Sequence, residues 1–373
     1  MAESYLCAIG TALPPCRLPQ ARIADFMVRT LALDAVAARR LRALYRASGI
    51  DARHTVVPDY GRQPADFTFY PPAPDLEPFP AVGARMAAYR AAAVPLAANA
   101  IADCLRQVAA VGVASITHLI TVSCTGMYAP GLDVDLIGAL GLPATVQRTA
   151  VNFMGCYAAF NGLKLADAIV RADAGARVVV VCVELCTLHF QKHLSDDHLL
   201  SNALFADGAA AVLVAGAPLA PGAPALALEA SHCALEPAGH ADMAWHIGDS
   251  GFEMTLSSYV PDLIRAGIGQ LTDRLLRALR LRPADVAHVA IHPGGRRILE
   301  VIEQALALPR DANRHAYSVL RECGNMSSAT VLFVLRRLLA ELTPAQRDER
   351  VLSFAFGPGL TLESLLLRVA FPA

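Results

Sequence analysis

The chain has 373 residues, of which 55% are hydrophobic and 17% are charged, and its formal net charge is −1. This length allows a large core spread over two domains or two halves, and the near-zero charge argues against general nucleic-acid binding. No run of 18 or more purely apolar residues predicts a transmembrane segment, and we expect no signal peptide because the first residues lack a basic segment. Nine cysteines in a chain of this length fit a reducing compartment, so we expect a cytoplasmic protein.

The first half of the chain alternates predicted strands and helices. The predicted strands cover residues 4–12, 116–124, 176–184 and 209–215, and the predicted helices cover residues 20–48 and 82–111. The run over 176–184 is continuous and β-branched, which is typical of a strand buried on both faces. Residues 54–80 are rich in proline and tyrosine and predict an extended surface excursion without long elements.

A break between two halves is predicted at residues 215–224, where three prolines and two glycines exclude a helix or a central strand. The predicted halves are residues 1–216 and residues 225–373. The second half repeats the outline of the first, with predicted strands at 226–234, 286–292, 351–356 and 362–371 and predicted helices at 259–281, after Gly295 and at 325–342. This alternation predicts layered α/β packing with helices on both faces of the sheets, and the repeated outline indicates an internal duplication.

Cys156 is the first candidate functional residue. It follows an apolar run that ends at Gly155 and precedes an Ala-rich helix predicted to end near Asp173. Unpaired N–H groups and the positive end of the helix dipole favour the thiolate at such a position, and the thiolate is the nucleophilic form. The alternative is a buried structural cysteine in a strand-to-helix turn. Cys182 and Cys186 lack a second Cys/His pair at metal-binding spacing, so we expect no metal site.

Two motifs in the second half carry polar side chains at element ends. His292 ends a predicted strand and precedes Pro-Gly-Gly, where α/β proteins place functional sites. Asn325 follows Gly324 at the predicted N-cap of an apolar helix. Taken singly, each has a structural explanation. Together with Cys156, a histidine can activate the thiol, and His and Asn can donate hydrogen bonds to a thioester oxygen.

Several arginines lie on the helical stretch near residue 40. This pattern fits either a solvated helix face or a docking site for an anionic group such as a nucleotide phosphate. The residues are Arg39, Arg40, Arg42 and Arg46. Their positions in the sequence leave both interpretations open.

Five blocks of the sequence resemble, in order, the signature blocks of the chalcone synthase-like, or type III, polyketide synthases. They are Gly155-Cys156-Tyr157, residues 204–211 (LFADGAAA), residues 291–295 (IHPGG), residues 324–329 (GNMSSA) and residues 356–361 (FGPGLT). The resemblance extends from about residue 5 to residue 371. It implies a thiolase-like αβαβα fold with two similar halves and a homodimer.

The resemblance also implies an activity. The expected enzyme condenses malonyl-CoA, with decarboxylation, onto an acyl-CoA starter in repeated cycles and needs no acyl carrier protein, metal or other cofactor. Matched by motif, Cys156 is the acylated nucleophile. His292 and Asn325 hold the thioester carbonyl, promote malonyl decarboxylation and stabilise the enolate, and His292 holds Cys156 as its thiolate.

Further residues are implied to line the substrate site. Phe205 matches an aromatic gatekeeper between the CoA tunnel and the cavity, and Gly357, Pro358 and Gly359 match a loop that shapes the cavity. Ser327 belongs to the Asn325 block, and Arg46 falls near the family's basic residues for CoA phosphates.

Departures from the plant pattern indicate a more apolar site. Met254 takes the place of a second gatekeeper Phe, although neighbouring Phe252 leaves that register open, and Trp245 stands where plant enzymes have a small Gly. Cys124 and Cys186 replace threonines, and the block from Cys182 to His189 is similar to bacterial alkylpyrone and alkylresorcinol synthases. Since Met, Cys and Trp are more apolar than hydroxyl residues, we expect a medium or long aliphatic starter.

Other functions are weighed against this one. An enzyme with an aromatic starter, an initiating ketoacyl-acyl carrier protein synthase, a silent thiolase-fold binding protein and a cysteine hydrolase are the alternatives. The starter chain, the number of extensions and the mode of cyclisation stay open at this stage.

Overall fold

The structure, a computed structural model, describes residues 3–257, 259–309 and 311–372. Within these ranges the α-helices are α1 (Gln20–Thr30), α2 (Ala35–Ala47), α3 (Val82–Arg106), α4 (Leu132–Leu140), α5 (Ala158–Ala172), α6 (Asp196–Leu204), α7 (Val260–Ala278), α8 (Arg296–Ala305), α9 (Arg314–Cys323) and α10 (Thr330–Glu341). The strands are β1 (Tyr5–Ala12), β2 (Cys16–Pro19), β3 (Ala52–Thr55), β4 (His118–Ser123), β5 (Gln147–Asn152), β6 (Arg177–Leu185), β7 (Asp207–Ala215), β8 (Ala225–Leu235), β9 (Met243–Gly248), β10 (Gly251–Leu256), β11 (His288–Ile291), β12 (Arg350–Gly357) and β13 (Thr361–Ala370).

Nine strands form one mixed sheet in the order β11-β12-β13-β8-β1-β7-β6-β4-β5. Its central seam is narrow, because β1 and β8 pair only at Tyr5 with Ala227 and at Leu6 with Leu226. The sheet therefore consists of two half-sheets that meet at this seam, one from each half of the chain. The break predicted at residues 215–224 lies between β7 and β8, and the division into residues 1–216 and 225–373 stays a prediction.

The two half-sheets have the same topology. In the first half, β1 and β6 both run antiparallel to β7, and β6 runs parallel to β4. In the second half, β8 and β12 both run antiparallel to β13, and β12 runs parallel to β11. The internal duplication expected from the repeated outline is therefore visible in strand order and direction.

Helices form three layers around the half-sheets. Helix α5 contacts β4, β6 and β7 of its own half and also β13, while α10 contacts β11 of its own half and also β1 and β7. These two helices therefore lie between the half-sheets. Helix α3 packs on β1, β6 and β7, and α7 packs on β8 and β13. This arrangement confirms the layered, thiolase-like αβαβα fold.

Helix α3 approaches β1 closely at one glycine. A Cβ atom at Gly10 would lie 2.2 Å from both the Ala100 carbonyl oxygen and the Cys104 amide nitrogen, so only glycine fits there. Pro95 lies inside α3, but it is on the exposed face of the helix. Because Pro95 has no N–H, the carbonyl of Ala91 loses its helical hydrogen bond. Both residues are exposed, so this carbonyl can bond to water and the helix continues.

The prediction of a surface excursion over residues 54–80 is wrong in one respect, because part of this segment is buried. The Asp59 carboxylate is fully buried and accepts hydrogen bonds from Thr68 N and Oγ1, Phe69 N and Tyr70 N, at 2.8–3.0 Å. This cluster of bonds folds the segment back on itself. Tyr60 is buried as well, with its ring 4.9 Å from that of Phe26 on α1.

Several short elements were not predicted from the sequence. They are α4, α6, α9, β2, β3, β5 and the β9–β10 hairpin. The hairpin matters most for the site, since it lies outside the main sheet and pairs Trp245 with Met254. Among the described residues, no helix is both long and apolar enough to cross a membrane.

Candidate active site

Cys156 lies in the turn between β5 and α5. The turn depends on Gly155, which has a φ of +85° and whose Cβ, if present, would lie 2.2 Å from Pro358 Cδ. Gly155 N donates to Cys124 Sγ at 3.0 Å, so the turn is fastened to the end of β4. Because α5 begins at Ala158, two residues beyond Cys156, the thiol precedes the first helical turn instead of belonging to it.

His292 is the first residue after β11. Its backbone N–H donates to Phe354 O of β12 at 2.8 Å, which continues the ladder between the two strands. Its side chain is 1% exposed, and neither Nδ1 nor Nε2 has a hydrogen-bond partner among the described residues. The ring is therefore held by packing, and its nitrogens remain able to bond to a substrate.

Asn325 follows α9 and connects the two halves of the protein. Its backbone N–H donates to Leu204 O at 3.0 Å, and its carbonyl oxygen accepts from Ala206 N at 2.8 Å. Its side chain is also tied, because Nδ2 donates to Gly294 O at 3.1 Å and Oδ1 accepts from Ser327 N at 2.9 Å. Asn325 thus stands beside Phe205 of the first half and next to the His292 loop.

The predicted N-cap role of Asn325 needs correction. The structure has a 3-10 turn over Ser327–Ala329, and α10 begins only at Thr330, where Ala329 is the N-cap residue. Asn325 Oδ1 instead closes the turn through Ser327 N. This leaves the amide group of Asn325 at the cavity instead of at the helix end.

Cys156, His292 and Asn325 line a single central cavity. Most of the lining of this cavity is apolar. Of the residues predicted for the substrate site, it is also lined by Cys124, Cys186, Phe205, Trp245, Met254, Ser327 and Pro358. Residues that the sequence analysis did not single out also line it, namely Thr125, Met243, Leu256, Gly294, Ile298 and Phe356.

Burial in the cavity gives Cys156 and His292 ionisation states that differ from the expected ion pair. Burial raises the pKa of the Cys156 thiol to about 12, opposed by hydrogen bonding from Ser327 and Asn325 that favours the thiolate. Burial also lowers the pKa of His292 to about 3. A neutral thiol therefore faces a neutral imidazole before substrate binds, which differs from the thiolate at rest that was expected.

Glu184 is a functional candidate that the sequence analysis missed. Its carboxylate is fully buried at the end of β6 and accepts from Cys124 N and Thr125 Oγ1, both at 2.9 Å, and from Ser328 Oγ at 2.5 Å. Burial raises its pKa to about 7. A single carboxylate at the end of an otherwise apolar buried strand was the signal available in the sequence, since such groups are rarely buried without partners.

One wall of the cavity comes from the hairpin. Trp245 Nε1 donates to Cys124 O at 2.7 Å, which fixes the indole across the cavity. Met254 lines the cavity, whereas Phe252 does not; its ring is stacked on that of His189 at 4.2 Å. The structure therefore places Met254, as aligned, on the cavity wall.

Four of the residues predicted for the substrate site do not line the central cavity. His189 is buried behind Phe252, where Nε2 bonds to Thr125 O at 2.7 Å and Nδ1 accepts from Phe252 N at 2.9 Å. Gly357 and Gly359 flank Pro358 without reaching the cavity, and a Cβ at Gly357 would meet the Tyr157 ring at 2.6 Å. Arg46 is exposed on α2.

The N-terminal model of the chalcone and stilbene synthase family matches residues 2–218, and the C-terminal model matches residues 227–370. The chain is 32% identical over 368 residues to 1,3,6,8-tetrahydroxynaphthalene synthase of Streptomyces peucetius subsp. caesius, covering 97% of this chain and 92% of the relative. It is 30% identical over 371 residues to the alpha-pyrone synthesis polyketide synthase-like Pks18 of Mycobacterium tuberculosis, covering 97% and 90% of the two chains.

A polyketide synthase of Dictyostelium discoideum is 29% identical over 377 residues, and there the chain spans 11% of the relative's length. Among solved structures, PKS-I from the brown alga Ectocarpus siliculosus superposes with a TM-score of 0.90 at 31% identity, covering 99% of this chain and 98% of the other.

A layered thiolase-like fold with a buried cysteine, histidine and asparagine at one cavity defines the class of protein. With both family models matched, the chain belongs to the chalcone and stilbene synthase family, the type III polyketide synthases. This assignment favours a polyketide synthase over the initiating ketoacyl-acyl carrier protein synthase weighed from the sequence.

Proposed function

We propose that this type III polyketide synthase transfers an acyl group from an acyl-CoA starter to Cys156 and extends it with malonyl-CoA. The observation that carries the proposal is that Cys156, His292 and Asn325, from three distant segments, line one mostly apolar cavity. The substrates are CoA thioesters, and the proposal involves no metal or other cofactor.

In the loading step, His292 acts as the base. Its neutral imidazole accepts the Cys156 proton while sulfur attacks the thioester carbon of the starter. The bond between that carbon and the CoA sulfur breaks, and CoA leaves with the proton returned by His292. Burial lowers the pKa of His292, so at pH 7 the imidazole is neutral and has a nitrogen free for this proton, while the same burial makes it a weak base.

In the extension step, His292 and Asn325 act as hydrogen-bond donors. The malonyl carboxylate leaves as CO₂, and its bonding electrons form an enolate whose thioester oxygen accepts from the imidazole N–H and from Asn325 Nδ2. The enolate carbon then attacks the acyl carbon on Cys156, and the carbon–sulfur bond to Cys156 breaks. The cavity excludes most water, which strengthens both hydrogen bonds to the enolate.

The lining supports an aliphatic starter of medium or long chain. Cys124, Cys186, Trp245 and Met254 present sulfur, methylene and indole surface to the substrate. We therefore favour an alkylpyrone or alkylresorcinol as product over a product built on an aromatic starter. The names of the two bacterial relatives point to a naphthalene and a pyrone, so the product itself must be measured.

The test is acyl transfer to a defined cysteine. After incubation with a starter acyl-CoA, peptide mass spectrometry should find the acyl mass on the Cys156 peptide, and Cys156→Ala should give neither adduct nor polyketide. Cys186→Ala is the matched control, because Cys186 is a buried thiol of the same cavity, and here the adduct should stay on Cys156. An adduct on Cys124 or Cys186 in the parent enzyme, or polyketide from Cys156→Ala, would contradict the assignment.

A further inference from the structure

His189 lies at the end of a short turn behind the wall of the central cavity. The turn spans Cys186–His189 and follows directly on β6. Its first residue, Cys186, lines the cavity, whereas its last residue, His189, is 5% exposed and is not part of the lining. The imidazole can therefore act on the cavity only through the residues that it contacts.

The imidazole of His189 bridges two segments that are far apart in the chain. Nδ1 lies 2.9 Å from Phe252 N of the hairpin strand β10, and Nε2 lies 2.7 Å from Thr125 O. Phe252 N can only donate, so Nδ1 accepts this bond, and the ring hydrogen is on Nε2, which donates to Thr125 O. One neutral tautomer of His189 is thus the form that makes both bonds.

Protonation of His189 would break this bridge. A hydrogen on Nδ1 would face the Phe252 N–H, and two donors cannot bond to each other. Burial lowers the pKa of His189 to about 3, although the bond to Thr125 O favours the charged form, and the nearby Arg85 guanidinium lowers the pKa further. The bridge therefore stays intact at neutral pH.

The hairpin needs such a bridge because β10 is an edge strand. Within the part of the chain that the structure describes, β9 and β10 form a sheet of two strands, and such a small sheet is marginally stable by itself. On the outer side of β10, Phe252 N donates to His189, and Phe252 O accepts from Gln191 Nε2 at 3.4 Å. Two side chains therefore take the place of a third strand at this position.

His189 also supports the ring that forms part of the cavity wall. Its ring stacks on that of Phe252 at 4.2 Å and meets the Trp245 ring edge to face at 5.8 Å. Trp245 Nε1 donates to Cys124 O, one residue before Thr125. The hairpin is therefore joined to residues 124 and 125 twice, once through Trp245 and once through His189.

We propose that His189 is a positioning residue that holds the β9–β10 hairpin against Cys124 and Thr125 and thereby sets which starters fit beside Cys156. It contacts the cavity wall from behind and touches no substrate. The effect on starters rests on the proposed function, whereas the effect on the hairpin does not depend on any substrate. Two readouts therefore test the inference separately.

The first readout is fluorescence, because Trp245 is the only tryptophan of the chain and lies on the hairpin. His189→Leu removes both bonds of the bridge and keeps an apolar side chain. We expect the Trp245 emission to shift to longer wavelength and acrylamide quenching to increase, because the hairpin loses one of its two attachments to residues 124 and 125. Thr272→Val, which removes a buried side-chain bond on α7, is the matched control and should leave the emission unchanged.

The second readout is starter selection. We expect the ratio of kcat/KM for the preferred acyl-CoA to kcat/KM for the acyl-CoA two carbons longer to fall by about fivefold in His189→Leu. A loss of folded enzyme lowers both values equally, so this ratio does not respond to a purely structural defect.

Two further variants each keep half of the bridge. His189→Gln keeps a donor for Thr125 O, and His189→Asn keeps an acceptor for Phe252 N, so both should lie between the parent and His189→Leu in emission and in starter ratio. They carry the test if His189→Leu does not fold.

Two results would overturn the inference. One is a folded His189 variant whose Trp245 emission differs from that of the parent no more than the emission of Thr272→Val does. The other is a shifted emission with the parent's starter ratio, which means that the position of the hairpin does not select starters. Failure of the proposed function is different, because in that case the parent itself extends no starter.

Discussion

The acyl transfer proposed for Cys156 needs a proton acceptor, because burial keeps the thiol neutral at pH 7. The thiol is buried, and burial raises its pKa to about 12. The start of α5 and the adjacent imidazole were expected to favour the thiolate, but the helix begins two residues later and His292 is itself neutral. The cost of desolvating the Cys156 thiolate therefore outweighs both effects that would stabilise it.

This predicts slow alkylation of Cys156 near neutral pH. A free cysteine has a pKa of about 8.5, so at pH 7 its thiolate fraction should far exceed that of Cys156. We expect the iodoacetamide rate at the Cys156 peptide to keep rising up to pH 10, with no plateau below pH 8. Free cysteine in the same buffers is the reference. A plateau between pH 6 and pH 8 would show a resting thiolate and restore the ion pair.

Glu184 couples the site to the stability of the protein. It ties the segments of Cys124, Thr125 and Ser328 together, while burial raises its pKa from 4.5 to about 7. The folded state thus binds a proton more tightly than the unfolded state. Its contribution to stability is fully present below pH 4.5 and is lost as the pH rises to about 7.

Replacing Glu184 should therefore reduce the pH dependence of the free energy of unfolding. The rise of the Glu184 pKa from 4.5 to about 7 corresponds to at most about 3 kcal/mol of that free energy. We expect the free energy of unfolding of Glu184→Gln, taken relative to that of the parent, to increase by up to about 3 kcal/mol from pH 5 to pH 8. Denaturant unfolding at both pH values measures this change. Taking the difference between the two pH values cancels the effect of the altered hydrogen bonds. An equal stability difference at the two pH values would mean that Glu184 does not titrate in this range.

The β9–β10 hairpin is the element that sets the shape of the cavity. Trp245 and Met254 are cross-strand partners, and both line the central cavity. The hydrogen bond from Trp245 Nε1 to Cys124 O attaches the hairpin to the end of β4. The hairpin, which lies outside the main sheet, therefore forms a wall that limits the space available beside Cys156.

Removing the indole should enlarge the central cavity. We expect Trp245→Gly to shift products towards more malonyl extensions or bulkier starters, because the growing chain gains the volume of the ring. A void left by a buried Trp costs about 3–5 kcal/mol, and since Trp245 is half-buried the cost should lie at the low end. Product distributions should therefore be compared at equal amounts of folded enzyme.

The control is a neighbouring position on the same strand. Ile247 is 58% exposed, so Ile247→Gly imposes a similar backbone cost on β9 without changing the cavity. Its product distribution should match that of the parent. If folded Trp245→Gly also keeps the parent's starter range and extension count, Trp245 does not limit the cavity.

At the scale of the molecule, one edge of the sheet is left open. Strand β5 is the outermost strand, and all of its residues except Val151 are exposed. Exposed methionines, Met127 and Met154, lie near this edge in sequence. The free outer side of an exposed edge strand is a template for pairing with another chain, which supports the homodimer expected from the family resemblance.

Sedimentation should therefore give about twice the chain mass of 39.5 kDa. Ala150→Glu places a charge in the middle of β5, where it is tolerated at an exposed edge but not in an interface between copies. We expect this variant to sediment as a monomer at micromolar concentration. Ser231→Glu on the exposed part of β8 should remain dimeric. A parent protein that is monomeric at these concentrations would contradict the expected dimer.

From the sequence by itself we predicted the layered fold and every strand of the nine-stranded sheet except β5, whereas the roles of the candidate site residues stay predictions. The continuous β-branched run became β6, and the repeated outline became two half-sheets with the same strand order, because local pattern and burial agree there. Cys156, His292 and Asn325 could be selected from ordered motifs, although Cys156 precedes His292 by 136 residues and Asn325 by 169. Short elements such as the hairpin were missed because their local signal is weak.

Only the tertiary structure decided how these groups behave. The protonation of Cys156 and His292 follows from burial by residues far away in the chain, which no local motif encodes. Hydrogen bonds from Asn325 to Gly294 O and Leu204 O fix the turn around Asn325. Its side chain therefore lines the cavity instead of capping a helix.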